Sequence, residues 1–244
     1  MSDGRRHNVR LGAAMSWART SYRINFLAFL ALSLIVTIMG FGQQVVVAPL
    51  TETLTLCFAL SDPSGTAQTL NVEQVSQCLS NESSAITLSV FASLVFLIAA
   101  FLSTVGVIRG SLFVSRGRRI GFADTFLGPH FATFAITVFI IMIVFVAGLF
   151  LFVIPALIAL VLFQFAPFVA LDRGIAPFDA LRVSVEIARR SWSTAILVLL
   201  VSGVAYIVSG LFWGIPTVVA LPVAALVTAY VYRIQSGESV DELA

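Results

Sequence analysis

Lysine is absent from this sequence of 244 residues, and all 14 basic residues are arginines. The absence excludes chemistry that depends on a lysine amine, such as Schiff-base catalysis or a nucleotide-binding P-loop. Charged residues of all kinds make up only 11% of the chain, against about 25% in an ordinary soluble domain. So few charges cannot cover a water-facing surface, which excludes a soluble enzyme and an intrinsically disordered protein.

Histidine is scarce, and the aspartates are not clustered. His7 lies in the N-terminal tail and His130 at the start of the third apolar run, so neither supplies the membrane-embedded histidine of a Ser–His protease or a haem site. A metal-dependent lipid phosphotransferase needs several neighbouring aspartates, whereas Asp124, Asp172 and Asp179 are scattered. We therefore expect a protein that is not an enzyme and has no catalytic site, cofactor or metal. The small net charge of +2 also implies no nucleic-acid partner.

Long apolar runs are what the sequence has in abundance. Hydrophobic residues make up 59% of the chain and the mean hydropathy is +1.02. A run of roughly 20 apolar residues crosses a bilayer as a helix. The block 131–171 contains no charge and is twice that length, so we expect it to break at Pro155. The predicted spans are residues 26–48, 85–108, 131–152, 155–171, 192–213 and 217–234.

The predicted fold is all-α: a polytopic membrane protein with six transmembrane helices arranged as three hairpins with interfacial elbow helices. Residues 1–25 form an N-terminal segment with an interfacial helix. Residues 26–234 form the membrane domain, with an outer loop at 49–84, and residues 235–244 form a tail. Residues 10–17 and 119–126 both fit the pattern R-[LI]-G-x-A-x-[ST]-aromatic, which indicates an internal repeat with a pseudo-symmetry axis along the membrane normal.

The third elbow is the clearest amphipathic segment. Phe178, Leu181, Val185 and Trp192 recur on one helical face, and charged residues occupy most of the other. This pattern predicts a helix that lies in the membrane interface with its apolar face towards the lipid. A helix that docks onto a partner protein has the same pattern.

The distribution of arginines predicts the orientation. With six spans, all 14 arginines fall on one side of the membrane, and the loop 49–84 carries four acidic residues and no basic one. The positive-inside rule then places both termini in the cytoplasm, in the cytoplasmic membrane of a bacterium. The first apolar run, about 23 residues, exceeds the apolar region of a cleaved signal peptide, so we expect a retained anchor.

Two further features of the loops suggest specific contacts. Cys57 and Cys78 both lie in the outer loop, where oxidising conditions favour a disulfide that stabilises by roughly 3 kcal/mol. Residues 53–60 resemble a strand, and residues 72–79 resemble a helix capped by Asn71. A cluster of three arginines either binds anionic lipid headgroups or acts only as a topology signal. The cluster consists of Arg116, Arg118 and Arg119.

Gln164 is the most polar residue near the centre of a predicted span. We expect its side chain to form a hydrogen bond between helices. Arg233 ends the last predicted span, and no aspartate, glutamate or histidine lies inside any predicted span, which argues against transport coupled to protons through buried carboxylates.

The second half of the chain resembles a known group of membrane proteins. The stretch 148–155, Gly-Leu-Phe-Leu-Phe-Val-Ile-Pro, is followed by Phe-Ala-Pro at 165–167, Leu-Asp-Arg-Gly at 171–174 and Ala-Leu-Arg-Val-Ser at 180–184. This order resembles uncharacterised bacterial and archaeal six-helix families that are similar to the membrane domain of some glycerophosphodiester phosphodiesterases. The resemblance covers about 100 residues and implies a six-helix protein of the cytoplasmic membrane. The 244 residues do not include the soluble phosphodiesterase domain, so that activity is not implied.

These features together lead to two functional expectations. The first is a non-enzymatic accessory or scaffold subunit for envelope or lipid-related processes, with membrane lipids and another membrane protein as partners. The alternative is a small permease, or the membrane subunit of a transporter, for an amphipathic or lipid-like solute. An enzyme of lipid metabolism is a weaker third hypothesis. The sequence does not indicate an oligomeric state.

Overall fold

The protein is helical throughout the residues that the computed structural model describes, which are 11–61, 72–120, 128–212 and 214–240. No strand occurs in these ranges. The helices are α1 (Leu11–Ile24), α2 (Phe26–Ser61), α3 (Val72–Asn81), α4 (Ser83–Ser115), α5 (Phe131–Leu151), α6 (Val153–Phe163), α7 (Ala166–Arg173), α8 (Pro177–Arg190), α9 (Trp192–Leu211) and α10 (Thr217–Gln235).

Six helical segments among the described residues are long and apolar enough to cross a membrane. They are Phe26–Ala59, Ser83–Ser115, Phe131–Leu151, Val153–Arg173, Trp192–Leu211 and Thr217–Gln235. The predicted fold class, an all-α polytopic membrane protein with six spans, is confirmed. Two short amphipathic helices, α1 and α8, precede the first and third hairpins. The second predicted elbow falls largely on residues 121–127, outside the described residues.

The chain divides into two compact units. Unit 1 contains the residues up to Leu34 together with Ser103–Ala244, and unit 2 contains Ile35–Leu102. In unit 1, α1 packs on α10 through the rings of Trp17 and Tyr230, whose centroids are 5.4 Å apart. Large side chains that are almost completely enclosed form the closely packed core of unit 1. These residues include Phe29, Phe165, Leu226 and Tyr232.

The described residues of the segment 49–84 are more helical than the sequence predicts. The helix α2 has 36 residues and continues through Pro49, so its length of about 54 Å exceeds the ~30 Å hydrocarbon core. The prediction of a strand at 53–60 is wrong, because these residues belong to α2. A strand needs a neighbour for its backbone groups, whereas a helix bonds its own. The hydroxyls of Thr51 and Thr55 also donate to carbonyls one turn earlier. The helix expected at 72–79 is present as α3, and Asn71 lies outside the described residues.

The structure pairs Cys57 with Cys78 at disulfide distance, with their Cα atoms 5.7 Å apart. Both residues belong to unit 2, where the bond joins α2 to α3. In the same unit, Gly42 lies directly against the ring of Phe96, so a side chain at position 42 would overlap that ring.

Peptide mapping without reduction is expected to recover Cys57 and Cys78 in one cross-linked peptide. In the Cys57→Ser variant, the linked peptide should disappear and Cys78 should become alkylatable. The variant should also lose roughly 3 kcal/mol, because an open chain gains conformational freedom when it unfolds. Cys78→Ser is the matched variant and should behave in the same way. Two alkylatable thiols in the untreated native protein would contradict the pairing.

The hairpin between α5 and α6 turns close to the predicted break, but three residues earlier. α5 ends at Leu151, Phe152 is extended, and α6 begins at Val153. Pro155 therefore lies in the first turn of α6, where its missing N–H would have no partner in any case. A Cβ atom at position 148 would lie only 3.0 Å from the backbone of Ala156. Glycine at position 148 thus allows the two helices to approach closely.

The predicted single span 155–171 is interrupted. α6 ends at Phe163 and α7 begins at Ala166, with Pro167 in its first turn. The proline ring cannot continue the preceding helix, because it clashes with the carbonyl one turn earlier. Gln164 lies at this interruption, and its Nε2 donates to the carbonyl of Ala195 on α9 at 2.8 Å. The expected interhelical hydrogen bond of Gln164 is confirmed.

The elbow helix α8 differs from the prediction at its C-terminal end. It starts with Pro177 and ends at Arg190, and Trp192 begins α9 instead of completing the predicted apolar face. Ser191 has a non-helical backbone conformation, which separates the two helices. Leu181 is buried within unit 1, whereas Phe178 is 65% exposed. Glu186 and Arg190 form a salt bridge at 2.5 Å, Pro177 lies in the first turn of α8, and Val185 is half-buried.

Candidate functional site

A pocket of about 430 Å³ opens in unit 1 where α4 and α7 end and α5 begins. We call it the arginine pocket, because three arginines contribute to its wall. The lining residues are Arg109, Leu112, Phe113, Arg116, Arg118, Gly128, Pro129, His130, Leu171 and Asp172. Its volume falls within the ~300–1,000 Å³ that is usual for small-molecule sites.

Arg109 is the buried charge of the arginine pocket. Although it is ionic, Arg109 is only 5% exposed. Its Nη2 donates to the carbonyl of Pro129 at 2.7 Å, and its Nη1 has no hydrogen-bond partner among the described residues. The guanidinium lies so close to Gly128 that a Cβ there would overlap it. Within the part of the chain that the structure describes, no carboxylate forms an ion pair with Arg109.

Asp172 is the one carboxylate of the pocket, and it is already engaged. Its side chain is 3% exposed and forms a salt bridge with Arg116. The hydroxyl of Tyr232 donates to the other carboxylate oxygen at 3.0 Å. These contacts join the ends of α4, α7 and α10. Asp172 therefore has a structural role, and Asp124 lies outside the described residues.

The three arginines of the predicted lipid-binding cluster do not all belong to the pocket. All of them are exposed, but only Arg116 and Arg118 line the pocket. The guanidinium of Arg118 lies over the ring of Phe113, 5.2 Å from its centroid, which holds the charge at the rim. Arg119 is exposed and is not among the lining residues. Contact with lipid by these arginines stays a prediction.

His130 forms the edge of the pocket at the start of α5. It has a left-handed backbone conformation, with φ of 68°, and its side chain makes no capping hydrogen bond to the helix. The imidazole ring packs directly on Gly174, which ends α7 with φ of 63°. Glycine at position 174 serves two purposes, because it allows the left-handed turn and leaves space for the ring.

The chemistry that this arrangement supports is the binding of an anion. Three guanidinium groups and one carboxylate line the arginine pocket, so among the described residues two of its positive charges have no carboxylate partner. The N-terminus of α5 adds partial positive charge at the same edge. Guanidinium groups present planar sets of donors that match phosphate and carboxylate oxygens.

Sequence analysis missed Arg109 as part of a site. Arg109 is the first residue after the predicted span 85–108, so the sequence pattern places it in the following loop. The helix α4 instead continues to Ser115, and Arg109 lies inside it. The signal was available: the residues after Arg109 up to Val114 are again mostly apolar. A charge enclosed by apolar residues of one helix is commonly buried and functional.

Two proteins of known sequence are similar to this chain over nearly its whole length. "Uncharacterized protein Rv2560" of Mycobacterium tuberculosis is 31% identical over 240 residues, which cover 95% of this chain and 70% of that protein. The chain belongs to the family of this mycobacterial protein. "Uncharacterized protein Mb2590" of Mycobacterium bovis matches with the same identity and coverage.

No family model and no solved structure matches the chain. The resemblance to the membrane domain of some glycerophosphodiester phosphodiesterases is not tested by these relatives and stays a prediction. The family relation covers both units, including the helices that form the arginine pocket. The names of the relatives give no activity, so the functional conclusion depends on the geometry of the site.

Proposed function

We propose that the protein is a non-enzymatic accessory or scaffold subunit of the bacterial cytoplasmic membrane that acts in envelope or lipid-related processes. Both termini lie in the cytoplasm, and the arginine pocket faces the same side. The observation that carries the proposal is the position of the polar groups. The arginine pocket is formed where helices begin and end, whereas polar side chains deeper in unit 1, such as Gln164 and Ser33, bond to neighbouring helices.

The interior of unit 1 supports a structural role. Besides the bond of Gln164, the hydroxyl of Ser184 on α8 donates to the carbonyl of Leu162 on α6 at 2.7 Å. The hydroxyl of Ser33 in the first part of α2 donates to the carbonyl of Val218 on α10 at 2.7 Å. Each bond fixes one helix against another and uses a polar group that would otherwise be available to a solute.

The alternative function, a permease for an amphipathic or lipid-like solute, is less well supported. A permease needs a passage of solute size between its helices. The cavity between α9 and α10 in unit 1 is lined by Tyr206 and Ser209 among others, and it has a volume of about 10 Å³. That volume holds about one water molecule.

Apolar side chains of α5 are exposed. In the most apolar stretch of this helix, only 11% of residues are buried within the chain. Phe139 is 63% exposed, and Met142 on the same helix is similarly exposed. We infer that these side chains contact both lipid and the helix of a partner membrane protein.

Photo-cross-linking from α5 tests the accessory function. A benzoylphenylalanine introduced at Phe139 in the native membrane is expected to give one adduct of defined mass with a single protein. Native mass spectrometry in lipid discs should recover the same protein at constant stoichiometry. The matched control is benzoylphenylalanine at Phe134, which is 2% exposed on the same helix and should give no intermolecular adduct.

Two results would overturn the proposal. One is that position 139 yields lipid adducts alone and native mass spectrometry shows the chain without a protein partner. The other is net movement of a solute by the purified protein in liposomes, which would favour the permease. Turnover of a lipid by the purified protein would contradict the non-enzymatic part of the proposal.

A further inference from the structure

The arginine pocket holds more positive charge than its own carboxylate neutralises. Arg116 is paired with Asp172, whereas Arg109 and Arg118 have no ion pair with a carboxylate of the described residues. Arg109 is removed from water as well, and a buried charge without a counter-charge is costly. An anion in the pocket would lower this cost. We propose that the arginine pocket binds a phosphate group, supplied either by a phospholipid headgroup or by free inorganic phosphate.

The number and arrangement of donors favour phosphate over a single carboxylate. Phosphate oxygens accept hydrogen bonds from several directions and carry up to two negative charges. The exposed arginines Arg116 and Arg118 both line the pocket. Arg109 adds its charge from the interior, where the low dielectric strengthens the attraction. Two uncompensated positive charges match the charge of a phosphate monoester.

The start of α5 provides a second, independent reason. This helix has 21 residues, and its N-cap residue His130 makes no side-chain capping bond. Gly128, Pro129 and His130 line the pocket immediately before the helix. Helix N-termini attract phosphate, because backbone N–H groups and the helix dipole both favour negative charge. Arg109 bonds the carbonyl of Pro129, so the buried charge and the helix start are held together.

This inference does not depend on a protein partner. A chain without any partner subunit can still bind phosphate, and a chain with a partner can lack the phosphate site. The cross-linking result from α5 and the binding result described next are therefore separate.

Isothermal titration calorimetry of the full chain, in maltoside micelles and a phosphate-free buffer, tests the proposal. The first probe is inorganic phosphate and the second is dihexanoyl phosphatidic acid. Dihexanoyl phosphatidylcholine is the third probe, with the same chains but a phosphate neutralised by choline. At least one of the first two probes is expected to bind at least roughly tenfold more tightly than phosphatidylcholine, because two arginines of the pocket have no ion pair with a described carboxylate.

The three probes also distinguish the source of the phosphate. Binding of inorganic phosphate indicates that the pocket accepts the free ion. If phosphatidic acid binds and inorganic phosphate does not, the ligand is a lipid headgroup, and the acyl chains of the lipid contribute to its binding. Absence of binding by both probes, or equal binding of phosphatidylcholine, overturns the proposal.

Two variants assign the binding to the arginine pocket. Arg118→Gln removes an exposed donor and is expected to weaken binding at least roughly tenfold. Arg109→Gln removes the buried charge and should weaken binding to a similar extent, whereas Arg109→Lys retains the charge and should bind within about threefold of the parent chain. Arg182→Gln is the control, because Arg182 is exposed on α8 and is not a lining residue.

The thermal unfolding midpoint of each variant shows whether it folds. If Arg109→Gln does not fold, Arg118→Gln decides the outcome alone, since its side chain is exposed. Unchanged binding in Arg118→Gln overturns the proposal, as does equal weakening in Arg182→Gln.

Discussion

Replacement of Gly174 with alanine is expected to destabilise the protein by about 2–5 kcal/mol. Two causes add together. Gly174 has a left-handed conformation, with φ of 63°, in which a side chain is strained. The imidazole of His130 also occupies the space that a Cβ would need. The free energy of unfolding, measured by titration with sodium dodecyl sulfate in maltoside micelles, checks this value.

Alanine substitutions at two other glycines distinguish the cost of the left-handed backbone from the cost of the overlap with His130. Gly237 also has a positive φ, of 81°, but nothing lies within 4 Å of its Cβ position, so Gly237→Ala should cost only about 1–2 kcal/mol. Gly203 is within α9 and has open space, so alanine there should be neutral or stabilise by up to about 1 kcal/mol. If Gly174→Ala changes the free energy of unfolding no more than Gly203→Ala does, the result contradicts the packing of His130 on Gly174.

Replacement of Asp172 with asparagine is expected to cost about 1–3 kcal/mol. The side chain keeps its shape but loses its charge, so the salt bridge with Arg116 is lost. The hydroxyl of Tyr232 retains an oxygen acceptor, but a weaker one. The expected cost is below that of a fully buried pair, because Arg116 is partly exposed. Thermal unfolding of the variant in micelles measures the change.

Asp179→Asn is the matched control for Asp172→Asn. Asp179 also pairs with an arginine, Arg182, but at 3.5 Å and with both side chains exposed. Its loss should cost less than about 0.5 kcal/mol, because water screens the pair. Tyr232→Phe in combination with Asp172→Asn should cost less than the sum of the two single changes, since both remove the same hydrogen bond. Equal costs for Asp172→Asn and Asp179→Asn would contradict the burial of Asp172.

The sequence predicts the number and order of spans well, because the length of an apolar run is a direct physical requirement for crossing a bilayer. It predicts the ends of helices less well. The helix α2 passes through Pro49 and the threonines that resembled a strand, since a helix satisfies its own backbone without a neighbour. The interruption before Pro167 was missed because the residues on both sides are equally apolar.

The candidate site was only partly predictable. Arg116 and Arg118 stood out as a cluster, but Arg119 of the same cluster does not line the pocket. Arg109 and Asp172 are 63 residues apart in the chain and lie in the same pocket because α4 and α7 end at the same place. Only the packing of the helices shows this proximity, since neither residue has a local motif that indicates the other.

The contacts of Asp172 have a consequence for the assembly of the protein during synthesis. Its first donor, Arg116, lies 56 residues earlier in the chain, directly after the second span. Its second donor, Tyr232, lies 60 residues later, within the last span. The chain is made from its N-terminus, so Tyr232 arrives after every other span has been made. A chain that stops before α10 leaves this buried carboxylate with one donor instead of two. The hydrogen bonding of Asp172 is therefore complete only after the last helix has been made. A truncated chain lacks one of these hydrogen bonds at the arginine pocket.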